Sequence, residues 1–225
     1  MAFNDFSNET PQNYAQKCTC ILVLDVSGSM SGAPINELTK GISDFYADIQ
    51  NEQTTLDRLE LGIITFGSRI DCVQEPTLLH NQPVPTLSIN GSTKLVDGVR
   101  EGIAKIEARK NWYKTTGQPY YRPWLVLITD GAPDGDQDVT GLSAQIKLDV
   151  EGKKYVFFGL GVQGADMNVL KNLSTPSFQP AKLQGLKFID FFKWLSASMG
   201  VITSSTDGQQ VNLPSAQDWM QGFTI

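Results

Sequence analysis

The run ILVLDVSGSMSG, residues 21–32, passes from apolar strand to polar loop within a few positions. Ile21 to Leu24 are uninterrupted apolar residues. Asp25 ends the run, and Ser27 and Ser29 follow at alternate positions with Gly28 between them. Three short oxygen-bearing side chains therefore converge where a strand meets a loop. A hydrophobic core gains nothing from such a cluster, whereas a hard cation does. Mg²⁺ and Ca²⁺ take oxygen ligands, and Mg²⁺ keeps waters and open positions that another oxygen can fill. Taken alone, D-x-S-x-S also suits a capped loop ahead of a helix, because Asp and Ser side chains satisfy nearby backbone groups.

Outward from this run, apolar strands are predicted at Thr19 to Asp25, Leu59 to Phe66, Trp124 to Thr129 and Tyr155 to Leu160. A shorter piece, Ile70 to Val73, follows Gly67 closely and reads as the return arm of a hairpin, hence an antiparallel edge strand. Helical spacing joins Ile35, Leu38, Ile42, Phe45 and Ile49, with Pro34 in the first turn. It also joins Leu95, Val99, Ile103 and Ile106. A third helix is predicted around Leu142 to Val150, and a long last one carries Phe188, Phe191, Leu195, Met199 and Ile202. Continuous Val/Ile/Leu runs are buried on both faces, as in a parallel sheet flanked by helices. The alternation predicts an α/β, doubly wound fold with a mostly parallel central sheet and helices on both faces. Ligands of such folds bind beyond the carboxyl ends of the strands. Asp25 and Asp130 both end apolar strands and are sent to the same rim. Residues 1–17 are polar and 203–225 return to loop composition, leaving 18–202 as the predicted domain.

Composition excludes several classes. The chain has 225 residues and a formal net charge of −6, unlike the usual basic nucleic-acid binder. No apolar run is long enough to span a bilayer. The opening MAFNDFSNETPQNYAQK has neither a basic n-region nor an apolar h-region, so no secretory leader is expected. Cys18, Cys20 and Cys72 form no C-x-x-C pair and lie in strand-like stretches, which predicts packed, reduced thiols. A cytoplasmic location is expected. The single histidine, His80, sits in a Pro-rich stretch and reads as a loop residue without a catalytic role.

Two further segments bear on the cation. GST at 91–93 ends a loop and opens the second helix, so Thr93 is expected at a helix N-terminus with its hydroxyl free to face a ligand. LVLITDG at 125–131 repeats the first theme, an apolar strand ending in Thr129, Asp130 and Gly131. With D-x-S-x-S, a distant loop threonine and a TDG strand end, residues 18–202 resemble von Willebrand factor A domains. The resemblance implies a Rossmann-like sheet and a metal-ion-dependent adhesion site. It implies that Ser27, Ser29 and Thr93 are hydroxyl ligands, and that Asp25 and Asp130 are carboxylates binding directly or through water. It also implies a divalent cation, Mg²⁺ first and Mn²⁺ or Ca²⁺ as substitutes, and a protein partner whose Asp or Glu completes the shell. DVSGSMSGAPI, ELGIITFGS, VLITDGAPDGD and FFKWLSASM are similar to the bacterial tellurite-resistance TerY family. That likeness implies an intracellular stress-response or defence component with kinase or phosphatase neighbours. A subunit docked on an ATPase is the alternative, with a metal-dependent phosphohydrolase behind it.

Other motifs compete less well. Asp134, Asp136 and Asp138 have calcium-loop spacing, but Val139 and Gln145 stand where an EF-hand needs Gly and Glu, so a solvated acidic loop is expected. Lys105 to Trp124 interleaves Lys110, Lys114 and Arg122 with Trp112, Tyr113, Tyr120 and Tyr121. Such mixtures can bind single-stranded nucleic acid, yet a helix end and connector accounts for them. No phosphate loop occurs, since Gly91-Ser92-Thr93-Lys94 does not fit G-x-x-x-x-G-K-[ST]. Gly28 to Gly32 has the glycine spacing of a nucleophile elbow, but Met30 stands where G-x-S-x-G needs its serine. No catalytic residue is expected.

Overall fold

The computed structural model describes residues 6, 9–162, 164–206, 209–216 and 220–221. Their strands form one sheet in the order β3-β2-β1-β4-β5-β6-β7. The strands are β1 (Cys18–Asp25), β2 (Leu59–Phe66), β3 (Ile70–Leu78), β4 (Trp124–Thr129), β5 (Val156–Gly161), β6 (Ala181–Leu183) and β7 (Met220–Gln221). β1 pairs in parallel with β2 and β4, β4 with β5, and β5 with β6. β3 is the expected antiparallel edge strand beside β2. At the other edge, the two-residue β7 adds a short antiparallel pair with β6.

Side chains of β1 alternate between the two faces, as the pleat requires. Cys18, Cys20, Leu22 and Leu24 enter the core layer beneath α1 (Ala33–Gln50), α2 (Gln53–Arg58) and α6 (Phe188–Ser204). Ile21 and Val23 enter the opposite layer, beneath α3 (Leu95–Thr116), α4 (Val139–Glu151) and α5 (Met167–Leu173). Every residue of β1 is buried, and each buried Leu or Ile contributes about 1.5–3 kcal/mol of transfer free energy. The helix stripes explain the layers. In α1, Leu38, Ile42, Phe45 and Ile49 are buried, and Pro34 lies in the first turn, where its missing N–H costs nothing. α6 buries Phe188, Phe191, Leu195, Met199 and Ile202, and packs Phe192 on Phe45 with ring centroids 5.6 Å apart.

β3 continues past its expected end at Val73 to Leu78. Pro76 lies within it, which an edge strand tolerates. α2, α5 and β6 had no sequence expectation. α2 has six residues and α5 seven, too short to display a stripe, and both rest on side-chain caps: Glu52 accepts from Thr54 and Thr55 N–H, and Asp166 from Asn168 and Val169 N–H. The flanking stretches also make contacts. Phe6 packs with Trp112 and Tyr113, while Val211, Leu213, Ala216 and Met220 join the α1/α6 layer. Among the described residues, no helix is long and apolar enough to cross a membrane.

Candidate metal centre

The connections explain why two distant segments meet. The chain leaves β1 for β2 on one side, whereas β4 lies on the other, so the crevice between the carboxyl ends of β1 and β4 is the switch point of the sheet. β1 and β4 are in register, with Leu24 opposite Ile128. Asp25 therefore faces Thr129, and Asp130 follows at the mouth.

Asp25 is fully buried, Ser27 is 2% exposed and Asp130 8% exposed, so the cluster rises from the sheet end to the surface at the exposed Ser29. Asp25 Oδ1 accepts the Ser27 backbone N–H at 2.9 Å. Its Oδ2 accepts the Thr129 hydroxyl at 2.6 Å. The hydroxyls of Ser27 and Ser29 lie 3.1 Å apart, and Ser29 Oγ donates to Asp130 Oδ1 at 2.8 Å. Burial pushes both carboxyl pKa values above the ordinary aspartate range. The hydrogen bonds from Ser27 and Thr129 to Asp25, and from Ser29 to Asp130, work against that rise.

Thr93 arrives on a separate loop. Gly28 N–H donates to Gly91 O at 2.8 Å, which ties the threonine loop to the serine loop. Gly91 has φ +60°, and a Cβ there would collide with Ser68 Oγ. A Cβ on Gly67 would collide with Asn90 O. Glycine is required at both positions for the loops to approach. Thr93 Oγ1 lies 4.0 Å from where a Cβ on Gly131 would stand, on the Asp130 side of the cluster. Thr93 precedes the cap residue Lys94 of α3, so it belongs to the loop and not to the helix terminus itself.

The donor set can be tested against an ion. Mg²⁺ holds oxygens octahedrally at about 2.0–2.1 Å, so neighbouring ligand oxygens stand about 3.0 Å apart. The Ser27–Ser29 and Ser29–Asp130 oxygen separations, 3.1 and 2.8 Å, match that edge. The hydroxyl protons now bridge the oxygens and can rotate outward around a cation. Among the described residues, no group of three or more His, Cys, Asp or Glu side chains is placed to hold a metal. The oxygen cluster at the switch point thus relies on hydroxyls as much as on carboxylates.

Of the remaining motifs, only Asp134 of the acidic loop reaches the cluster, through the Thr93 backbone. His80 Nε2 pairs with Asp57 Oδ1 at 3.1 Å. It follows β3, whose Leu78 is opposite Glu60, so it lies at the end of the sheet away from Asp25. Asp138 caps α4 through Gly141 N–H and pairs with Arg100 at 2.9 Å. The basic residues of the aromatic stretch are largely spoken for. Lys105 pairs with Glu75 at 2.7 Å, and Lys110 with Glu107 at 3.0 Å. Sequence reasoning missed Thr129 as the second partner of Asp25, although it lies in the TDG triplet. It also missed Gln137, whose amide bonds the Thr93 backbone. A lone glutamine in a loop carries no signal of that kind.

Sheet order, switch point and oxygen cluster define an α/β domain with an oxygen-rich site at its strand-end rim. The chain belongs to the von Willebrand factor type A domain family, whose model matches residues 20–189. Domains of this family mediate protein–protein interactions, some through a metal-ion-dependent adhesion site. A von Willebrand factor A domain-containing protein of Dictyostelium discoideum is 27% identical over 130 residues, covering 57% of this chain and 13% of that protein. The pilus adhesin SpaC of Lactobacillus rhamnosus GG shares the fold with a TM-score of 0.67 at 15% identity, over 84% of this chain and 30% of the adhesin. Proximal thread matrix protein 1 of the mussel byssus, solved with a zinc-occupied adhesion-site motif, gives a TM-score of 0.55 at 17% identity over 85% of this chain and 46% of its own. The chain thus spans less than half the length of each of these three proteins.

Proposed function

We propose that this chain is a metal-dependent protein–protein interaction module. Asp25, Ser27, Ser29, Thr93 and Asp130 hold one divalent cation, and a carboxylate from a protein partner completes its shell. The observation that carries the reading is the run of oxygens from Ser27 through Ser29 to Asp130, spaced as ligands of one small cation. Mg²⁺ suits that spacing better than Ca²⁺, whose longer bonds of about 2.3–2.6 Å set the oxygens further apart. When bound, the cation supplies an electrophilic point for an incoming anion. The chain's part is to place two carboxylates that moderate its charge and neutral hydroxyls that leave it attractive. Both oxygens of Asp25 are already engaged by Ser27 and Thr129, which favours contact with the ion through water. The net charge of −6 gives no general attraction for an acidic partner, so recognition rests on the ion and the loops around it.

The reading assigns no catalytic residue. It places the chain among intracellular, cytoplasmic modules of the TerY kind, in a bacterial stress-response setting where kinase, phosphatase or ATPase components are the natural neighbours. The likeness of VLITDGAPDGD and FFKWLSASM to that family supports this setting. Affinity capture from the native host, with and without EDTA, tests the proposal. A partner lost on chelation and lost with Asp25→Ala plus Ser27→Ala supports it. Capture that survives both treatments contradicts it.

A further inference from the structure

The acidic loop after β4 does more than surround the rim. Asp134 and Gln137 clasp the backbone of Thr93 from both sides. Thr93 N–H donates to Asp134 Oδ2 at 3.2 Å, and Asp134 N–H donates back to Thr93 O at 3.2 Å. Gln137 Nε2 donates to the same Thr93 O at 2.6 Å, and its Oε1 accepts Val96 N–H at 2.8 Å. Val96 N–H is one of the open donors in the first turn of α3, and the cap residue Lys94 supplies no side-chain acceptor for it. Gln137 thus caps α3 from another part of the chain. Three hydrogen bonds join the loop that carries Thr93 to the loop that follows Asp130, and a fourth ties that loop to the first turn of α3.

We propose that Asp134 and Gln137 are positioning residues for the metal centre, a latch that fixes the Thr93 hydroxyl relative to Asp130 before any ion arrives. The inference rests on the reading of Thr93 and Asp130 as ligands. Neither latch residue is assigned contact with the ion; both act on a backbone that carries a ligand. A preset Thr93 loop lowers the ordering cost of binding, so loss of the latch appears as weaker metal affinity. Groups that orient metal ligands typically account for 10–100-fold in affinity.

The test measures Mn²⁺ affinity of the full chain by electron paramagnetic resonance of the free ion. Asp134→Ala and Gln137→Ala should each weaken binding about tenfold. Asp134→Asn keeps an amide oxygen that accepts Thr93 N–H and should bind nearly as the parent does. Combining Asp134→Ala with Thr93→Ala should weaken binding no more than Thr93→Ala alone, because the latch acts through that residue. Equal loss in Asp134→Asn and Asp134→Ala would assign the effect to charge and overturn the latch. Unchanged affinity in Asp134→Ala and Gln137→Ala overturns the latch as well, and if Asp25→Ala and Asp130→Ala abolish binding the metal-centre reading stands without it. Binding that persists in Asp25→Ala and Asp130→Ala overturns both.

Discussion

Asp25 stands at the base of the cluster with no exposed surface, and its two oxygens are held by different elements. One faces the Ser27 N–H of its own loop, the other the Thr129 hydroxyl at the end of β4. The second bond crosses the switch point and ties the two loop origins together. Burial raises the Asp25 pKa, with the nearby Asp130 adding to the rise. Removing the Thr129 hydroxyl takes away a donor that supports the ionised form. Thr129→Val should therefore destabilise the metal-free chain by about 1–3 kcal/mol, the usual cost of leaving a buried polar group without its partner. Urea unfolding checks this, and an unchanged midpoint would show that the bond contributes nothing. At this scale the site was legible where side chains act through their own chemistry. Asp25, Ser27, Ser29 and Asp130 stood out as oxygen-bearing side chains just past strand ends, out of place in a core, and Thr93 as a loop hydroxyl ahead of a helix; their role as ligands is the proposal made above. Thr129 and Gln137 could not, because each acts on a neighbour fixed only by the register and the loop path.

Among the elements, strong periodicity made the long ones readable. The α1 and α6 stripes each supply at least five buried apolar residues on one face. α2 and α5 last less than two turns and depend on the acidic caps Glu52 and Asp166, whose significance appears only once the helix exists. β6 and β7 are three and two residues long, and their pairing joins segments that are distant in sequence. β1 and β3 carry all three cysteines. Cys18 and Cys20 are buried in β1, and Cys72 in β3 is partly covered. Burial pushes the Cys18 and Cys72 thiols up to about 12 and Cys20 well above its ordinary value. The thiolate is the reactive form. Titration with a disulfide reagent at pH 8 should find at most the Cys72 thiol reacting slowly in the native protein, and all three after denaturation. Rapid reaction of two or more native thiols would contradict the burial of β1.

Across the whole molecule, the two ends of the sheet do different work. The amino-terminal end of β2 carries the buried Glu60, which takes Arg109 of α3 at 2.6 and 2.8 Å. Arg109 also reaches Glu9 at 2.6 Å and lies 4.0 Å over the Trp112 ring, so this end anchors the N-terminal stretch to α3. The carboxyl end gathers the loops of the proposed metal centre. That division follows from strand direction: in a doubly wound sheet, the loops free to vary and bind are those after the strands. Anomalous diffraction from crystals of the full chain grown with Mn²⁺ probes this rim most directly. One strong peak is predicted at the mouth of β1 and β4, within direct coordination distance of the Ser27 and Ser29 hydroxyls and beside Asp130. No peak there at saturating Mn²⁺, or a peak held instead by Asp134, Asp136 and Asp138, would contradict the metal centre.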